Sequence, residues 1–392
     1  MVATRVGTIN AICTTLRENF FDPGMTGVDW SAACDESRRQ AQAAKSDEQF
    51  WKIAANLPAQ LKISHTAYYG PTDPSLAIVY SVYGSLDRFK TVLAEHLGPP
   101  QLRGAGIFAK LIDGRLFIEN ILDGSPAEKA GLKEGDELVQ PGLAVFAARW
   151  PDRKTMTDPE TTTVQFRRTQ DGPIQSRTMK LISDDALRVL SHATENSVRL
   201  IERDGVKIGY LRGWAMLTRD GTGGPATALR AALSGPFASA DAVILDARGR
   251  IGGGGMDILQ TYFGPRIAVS FKGRQKEGWT DYPVMPYGKP LVIIIDGHTR
   301  SAAEIMAYAA KKQKLALLVG SRTAGAVAAG SLFPLPDGGG LYVAVAGIRV
   351  DGEALEGKGV EPDIVVERPL PYAGGSDPQL ERAVYEAVKQ VK

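Results

Sequence analysis

Pro290-Leu291-Val292-Ile293-Ile294-Ile295 runs directly into Asp296-Gly297-His298-Thr299-Arg300-Ser301-Ala302-Ala303-Glu304-Ile305. A continuous aliphatic run of this length reads as a buried strand, and the helix formers after Ser301 predict a helix. The small and polar residues between them predict a tight loop. A strand, loop and helix of this kind lift one side chain above the carboxyl edge of a sheet and set it at a helix N-terminus. There, unpaired backbone N–H groups and the helix dipole favour developing negative charge. Ser301 is the side chain best placed for that use. The plainer role for a serine at this point is to cap the helix.

Upstream the same alternation recurs. Ile208-Gly209-Tyr210-Leu211 and Ala242-Val243-Ile244-Leu245-Asp246 read as strands and residues 226–233 as a helix, so the stretch 186–392 is expected to form a layered α/β core. Gly252-Gly253-Gly254-Gly255 follows the second strand and precedes the helix-like residues 256–260. The run lacks the Lys-Ser/Thr of a phosphate-binding loop and the spacing of a dinucleotide fingerprint. Bare backbone N–H groups at a strand-to-helix turn suit an oxyanion hole, with a flexible turn as the alternative.

Residues 1–72 read as a helical segment. Val6, Ile9, Ile12, Leu16 and Phe20 recur at helical spacing, Phe50-Trp51 with Ile53-Ala54 closes a later helix, and Pro58 interrupts it. Beyond it the alternation of Ile63, His65, Ala67 and Tyr69 predicts a short extended segment carrying Ser64-His65-Thr66. Residues 73–97 read as a connector. Cys13 and Cys34 either pair between two early helices in an oxidising compartment or stay as two buried thiols.

Residues 98–185 form a distinct block. Arg103-Gly104-Ala105-Gly106-Ile107-Phe108 is a glycine-spaced loop entering an apolar segment. Ser125-Pro126 reads as a cap with proline at the first helical position, closed by Gly131. Strands are expected around 116–121, 133–139, 162–168 and 179–181, with an inserted loop near Trp150-Pro151-Asp152-Arg153. The order of the Gly-loop, Ser-Pro-Ala-x-x-Ala-Gly-Leu and Glu-Gly-Asp resembles a PDZ domain of the circularly permuted bacterial type. That resemblance implies capture of a peptide carboxyl terminus beside Gly104, Ala105, Gly106, Ile107 and Phe108, or a spacer role alone.

Composition narrows the function classes. With 46 Lys and Arg against 44 Asp and Glu, the charge gives no case for nucleic acid or an anionic membrane surface. No apolar stretch reaches the roughly 18 residues a membrane span needs. The first residues show no charged region followed by an apolar core, so no secretory signal is read. With 2 Cys and 4 His, a Cys/His zinc site is not expected, and no cofactor is called for.

Several motifs then line up in one order. Asp246-Ala247-Arg248-Gly249-Arg250-Ile251-Gly252-Gly253 resembles the Asp-x-Arg-x-Asn-x-Gly-Gly of the carboxyl-terminal processing proteases and tricorn-type serine peptidases. Ser301-Ala302-Ala303-Glu304 resembles their Ser-Ala-x-Glu, and Val319-Gly320-Ser321-Arg322-Thr323-Ala324-Gly325 their Val-Gly-x-x-Thr-x-Gly. Gly359-Val360-Glu361-Pro362-Asp363 resembles their Gly-Ile/Val-x-Pro-Asp, and Asp377-Pro378-Gln379-Leu380 their terminal helix. The resemblance implies an α/β multidomain chain: a helical segment, a PDZ-like β-rich domain and a layered core of the ClpP/crotonase-like type. It implies a serine peptidase acting on peptides or unfolded proteins, in the cell envelope if a leader was removed and in the cytoplasm otherwise.

One departure is informative. The Ser/Lys members place a Lys and a Gln shortly after Thr-x-Gly, where this chain has Ala326 and Gly330. The tricorn-like branch uses instead a His in a Ser-His-Thr segment and a Glu just before Gly-Val-x-Pro-Asp. By that resemblance Ser301 is the nucleophile and His65 the base, oriented by Ser64 and Glu356, with Gly252, Gly253 and Ala302 donating to the oxyanion. His298 on the serine's own loop and His192 beside Ser191 are rival bases. A lysine such as Lys311 or Lys312 is a third choice. A catalytically inactive relative that binds peptides or a hydrophobic ligand is the alternative function.

Overall fold

The computed structural model describes residues 2–84, 86–96, 98–151, 159–216, 224–249, 267–271, 280–284 and 288–392. The chain divides into two compact units, one of Met1–Ala193, Ala324–Gly359 and Arg368–Ser376, the other of Thr194–Thr323, Val360–Glu367 and Asp377–Lys392. The stretch expected as one core, 186–392, thus contributes to both. The α/β class read from the sequence is observed, with helices and several sheets.

In the first unit the helical segment is three helices, Val2–Asn19, Trp30–Ala43 and Asp47–Ala59. Asp29 and Ser46 start the second and third by accepting from the amides of Ala32 and Gln49, each satisfying a donor the first turn leaves unpaired. Pro58 does not break the third helix before its end but occupies the position before the last, where the helix is already closing. The helices bury Ile9, Ile12, Leu16, Phe50 and Leu57 against a three-stranded sheet ordered Ala67–Tyr69, Gly340–Ala346, Ala329–Pro334, through Tyr68, Leu341 and Val343. Cys13 and Cys34 are bonded, joining the first two helices within this core. The crosslink closes a loop of sequence separation 21, and by loop entropy it contributes about 3 kcal/mol. Reduction under native conditions is expected to lower the urea-unfolding free energy of this unit by that order; an unchanged midpoint would contradict it.

The β-rich block holds a five-stranded antiparallel sheet in the order Ile107–Ile112, Arg115–Ile121, Glu137–Gln140, Thr161–Arg167, Gln175–Lys180. A second, three-stranded sheet orders Ala147–Arg149, Gln101–Gly104, Ile182–Asp184. Ser125 caps the short helix Pro126–Lys129 by accepting from Glu128, and proline sits at its start. The expected glycine-spaced loop is shorter than read, because Gln101–Gly104 is already strand. Trp150, read as part of an inserted loop, is buried against Tyr80 and donates from Nε1 to Gly338 at 3.2 Å. An indole that large finds its burial in the unit's interior. Residues 152–158 of that loop lie outside those described.

The second unit is built on a six-stranded sheet, ordered Arg199–Arg203, Val206–Arg212, Ala242–Asp246, Leu291–Ile295, Leu317–Gly320, Ile364–Val365. The first pair is antiparallel and the rest are parallel. Every residue of Ala242–Asp246 and of Leu291–Ile295 is buried, as a parallel strand covered on both faces requires. The C-terminal helix Pro378–Val391 covers one face with Ala383, Val384, Ala387 and Val388 against Tyr210, Ile244, Val292 and Ile294. A hairpin, Ile267–Phe271 with Thr280–Val284, belongs to the same unit.

Beneath the carboxyl ends of these strands is a buried charge cluster. Arg248 donates to Asp246 at 2.9 and 2.6 Å and to Asp377 at 3.0 and 2.7 Å, while the Tyr210 hydroxyl donates to Asp246 at 2.8 Å. Burial alone would raise the Asp246 carboxyl, but Arg248 and Arg212 beside it hold it well below the usual carboxylate range. A carboxyl depressed in the folded state contributes stability present above its unfolded value near pH 4, lost only as pH falls through the lower folded value. Asp246→Ala leaves Arg248 and Arg212 without it in the interior. It is expected to cost about 3 kcal/mol in urea unfolding; a loss under about 1 kcal/mol would contradict the cluster's role.

Candidate active site

The loop after Leu291–Ile295 is fixed by its own side chains. Thr299 is fully buried, accepts from the Asp296 amide at 3.0 Å and donates to the Ala247 carbonyl at 2.9 Å. The amide of His298 donates to the Asp296 carboxylate at 2.8 Å. The chain then turns through Ser301 at φ 54 and ψ −126 and enters the helix Ala302–Lys312. That backbone conformation is strained for any residue with a Cβ. Ser301 stands at the N-cap position, yet its side chain makes no capping hydrogen bond. The plain capping role is therefore not the one adopted, and the hydroxyl is held at the first turn of a helix by a costly backbone.

Ala302 contributes the first helical amide. Glu304 is fully buried one turn on and accepts from the Thr323 hydroxyl, which in turn accepts from the Val360 amide at 2.7 Å. Glu304, Thr323 and Val360, one residue from each of three motifs, are thereby tied together inside the second unit. Lys311, a rival base in the sequence, sits ten residues along the helix, about 15 Å from its start. Its ammonium donates to the Glu361 carbonyl at 2.7 Å and pairs with Asp363 at 3.2 Å. Lys312 donates to the Tyr308 hydroxyl at 3.1 Å.

In the first unit Ser64, His65 and Glu356 come together across 292 residues of chain. Glu356 accepts from the Ser64 amide at 2.7 Å, the Ser64 hydroxyl at 2.9 Å, and the amides of Val327 and Ala328 at 2.9 Å each. The Ser64 hydroxyl lies 2.8 Å from Nδ1 of His65. A carboxylate only accepts, so the hydroxyl gives its single proton to Glu356 and must accept from Nδ1–H. The imidazole is thus set with its proton on Nδ1 and its lone pair on Nε2.

The extended segment expected over Ile63–Tyr69 is strand only at Ala67–Tyr69. His65 has φ 58 and turns the chain. In a strand, neighbouring side chains point to opposite faces; the turn lets Ser64 reach the ring of the next residue. The amides of Val327 and Ala328 leave no mark in residue type and were not legible as site groups. Of the other expected residues, Ser301 and Ala302 lie in the second unit, whereas Gly252 and Gly253 lie outside the described residues. His192 is exposed on the helix Ala186–Asn196.

Gly104, Ala105, Gly106, Ile107 and Phe108 are all buried. The Ala105 and Gly106 carbonyls accept from Ala127 and Leu122 at 3.0 and 2.9 Å. Gly106, at φ 100, has Ser125 where a side chain would be, so no larger residue fits. The strand it leads into, Ile107–Ile112, forms one edge of the five-stranded sheet. Among the described residues no group of three or more His, Cys, Asp or Glu is placed to hold a metal, and no helix is long and apolar enough to cross a membrane.

The fold and these two clusters define a mixed α/β chain with a strained serine at a strand-to-helix turn and an imidazole held by a carboxylate through a hydroxyl. Residues 207–366 match the model of peptidase family S41. A carboxyl-terminal-processing protease of Picosynechococcus sp. is 30% identical over 282 residues, 66% of this chain and 63% of its own length. The putative tricorn protease homolog 2 of Streptomyces coelicolor is 26% identical over an alignment of 398 positions, 95% of this chain and 31% of its own. The chain therefore spans less than two thirds of either relative. The structure of mature CPAF complexed with lactacystin resembles this one with TM-score 0.57 at 14% identity, covering 100% of this chain and 99% of that one. The tricorn protease structure does so with TM-score 0.53 at 16%, covering 100% and 37%. At such identities the likeness is one of fold. The resemblance to processing and tricorn-type peptidases read from the motifs is borne out.

Proposed function

We propose that the chain is a serine endopeptidase acting on peptides or unfolded proteins, with Ser301 as nucleophile and His65 as general base. The observation that carries the reading is the chain from Glu356 through Ser64 to His65. It leaves Nε2 as an acceptor, which a base needs, and gives the imidazolium formed on proton transfer a carboxylate to lean on through one hydroxyl. In this scheme Nε2 takes the Ser301 proton as the hydroxyl attacks a peptide carbonyl. The Ala302 amide, with Gly252 and Gly253, donates to the oxyanion. His65 then returns the proton to the leaving amine, and water repeats the cycle on the acyl-enzyme. The commitment of Lys311 at the far end of its helix argues against a lysine base.

The β-rich block is proposed to be PDZ-like and to bind substrate carboxyl termini by strand addition, or to gate access. Its edge strand Ile107–Ile112, with Leu111 exposed, supports that use. Cleavage of an unstructured protein by wild type and by His65→Ala tests the proposal. Loss of turnover by about three orders of magnitude or more in the variant is expected. Equal turnover in the two would remove His65 as base, and no cleavage by wild type with peptide still bound would favour a binding protein.

A further inference from the structure

The three-stranded sheet that His65 leads into carries a tyrosine beside the imidazole that the proposed chemistry does not use. Tyr342 lies opposite Ala67 on one neighbouring strand and opposite Leu332 on the other. Its ring is 5.2 Å from the His65 imidazole and 6.3 Å from Tyr69, centroid to centroid. Its hydroxyl is 3.1 Å from that of Tyr83, on the helix Pro74–Tyr83. Neighbours on three sides thus fix the ring.

The fourth side is Gly330. A Cβ there would lie 2.4 Å from Cζ, 2.6 Å from Cε2 and 2.7 Å from the hydroxyl of Tyr342. Those approaches are far inside van der Waals contact, and the ring cannot swing away without leaving His65 or Tyr83. Gly330 has no positive φ to explain its being glycine; the tyrosine ring explains it. His65 needs such a buttress, because a left-handed backbone at a residue with a Cβ is held only where its surroundings over-determine it.

We propose that Tyr342 is a positioning residue for the His65 imidazole, and that position 330 is glycine because the tyrosine ring occupies its side-chain space. This rests on His65 being the base. Ser64 holds the ring at Nδ1, which leaves rotation about that bond; the Tyr342 ring, tilted 43° to the imidazole, limits it and keeps Nε2 aimed in one direction.

A double-mutant cycle on turnover of an unstructured protein tests the proposal. Tyr342→Leu and Gly330→Ala are each expected to lower kcat between about tenfold and a hundredfold while KM stays within about twofold, since both displace the same ring. The double variant is expected to be no worse than the poorer single, showing that the two act as one unit. Tyr342→Phe keeps the ring and removes the hydroxyl that meets Tyr83, so it should fall by less than about threefold. Nitrogen NMR of the His65 imidazole is the second readout: the Nδ1-protonated form should give way to a tautomer mixture in Tyr342→Leu and remain in Tyr342→Phe. This readout needs no turnover. Turnover of Tyr342→Leu within twofold of wild type, with unchanged imidazole nitrogen shifts, would overturn the positioning role. Additive losses in the cycle would overturn the pairing with Gly330. If His65→Ala cleaves as well as wild type, the fault lies instead with the choice of base.

Discussion

Ser301→Ala is expected to lower peptide turnover by at least about four orders of magnitude, because in the proposed reaction its hydroxyl is the attacking oxygen. Substrate binding should persist, since the methyl group keeps the Cβ and the backbone is untouched. The same residue makes an opposite prediction for stability. Ser301 holds φ 54 and ψ −126, and it accepts no compensation as a cap. Glycine adopts that conformation freely, so Ser301→Gly should be more stable than both wild type and Ser301→Ala by about 1 kcal/mol, while equally inactive. A serine that merely capped the helix would behave the other way: Ser301→Ala would lose about 1 kcal/mol and keep its turnover. Urea unfolding and turnover on the same three proteins separate the two cases.

Glu356→Gln is the second large effect. The carboxylate accepts from the Ser64 amide on one oxygen, and from the Ser64 hydroxyl and two backbone amides on the other. An amide side chain keeps one accepting oxygen and turns an NH2 toward a donor, whichever way it is flipped. If the NH2 faces the Ser64 hydroxyl, that hydroxyl must accept, its own proton turns to Nδ1, and His65 is driven to the wrong tautomer. If the NH2 faces the Ser64 amide, two donors meet. In both cases the imidazolium loses its carboxylate. Turnover should fall about a hundredfold to ten-thousandfold with a much smaller change in KM. The variant should also lose about 2 kcal/mol of stability, because donors remain buried without their charged acceptor. A turnover number within threefold of wild type would refute the relay.

What the sequence carried and what it hid differ in physical kind. Pro290–Ile295 announced a strand because burial on both faces forces a continuous aliphatic run, and Ser125-Pro126 announced a helix start because capping is local chemistry. Ser301 could be singled out as a candidate, but its strain could not, since φ leaves no trace in residue type. His65 was placed on an alternating pattern that the structure replaces with a turn, because the pull on it comes from Glu356, 291 positions away by subtraction of the two residue numbers. The departures at Ala326 and Gly330 were visible as missing side chains. Their meaning was not, because Val327 and Ala328 act through amides and Gly330 through the room it leaves for Tyr342. A site assembled from backbone donors and empty space is silent in a single sequence.

Labelling with a serine-reactive phosphonate, read by peptide mass spectrometry on wild type and His65→Ala, tests whether His65 activates Ser301. One adduct is expected, on the peptide carrying Ser301, forming readily in wild type and nearly absent without His65. An adduct on another serine, or labelling of Ser301 at an unchanged rate in His65→Ala, would contradict it.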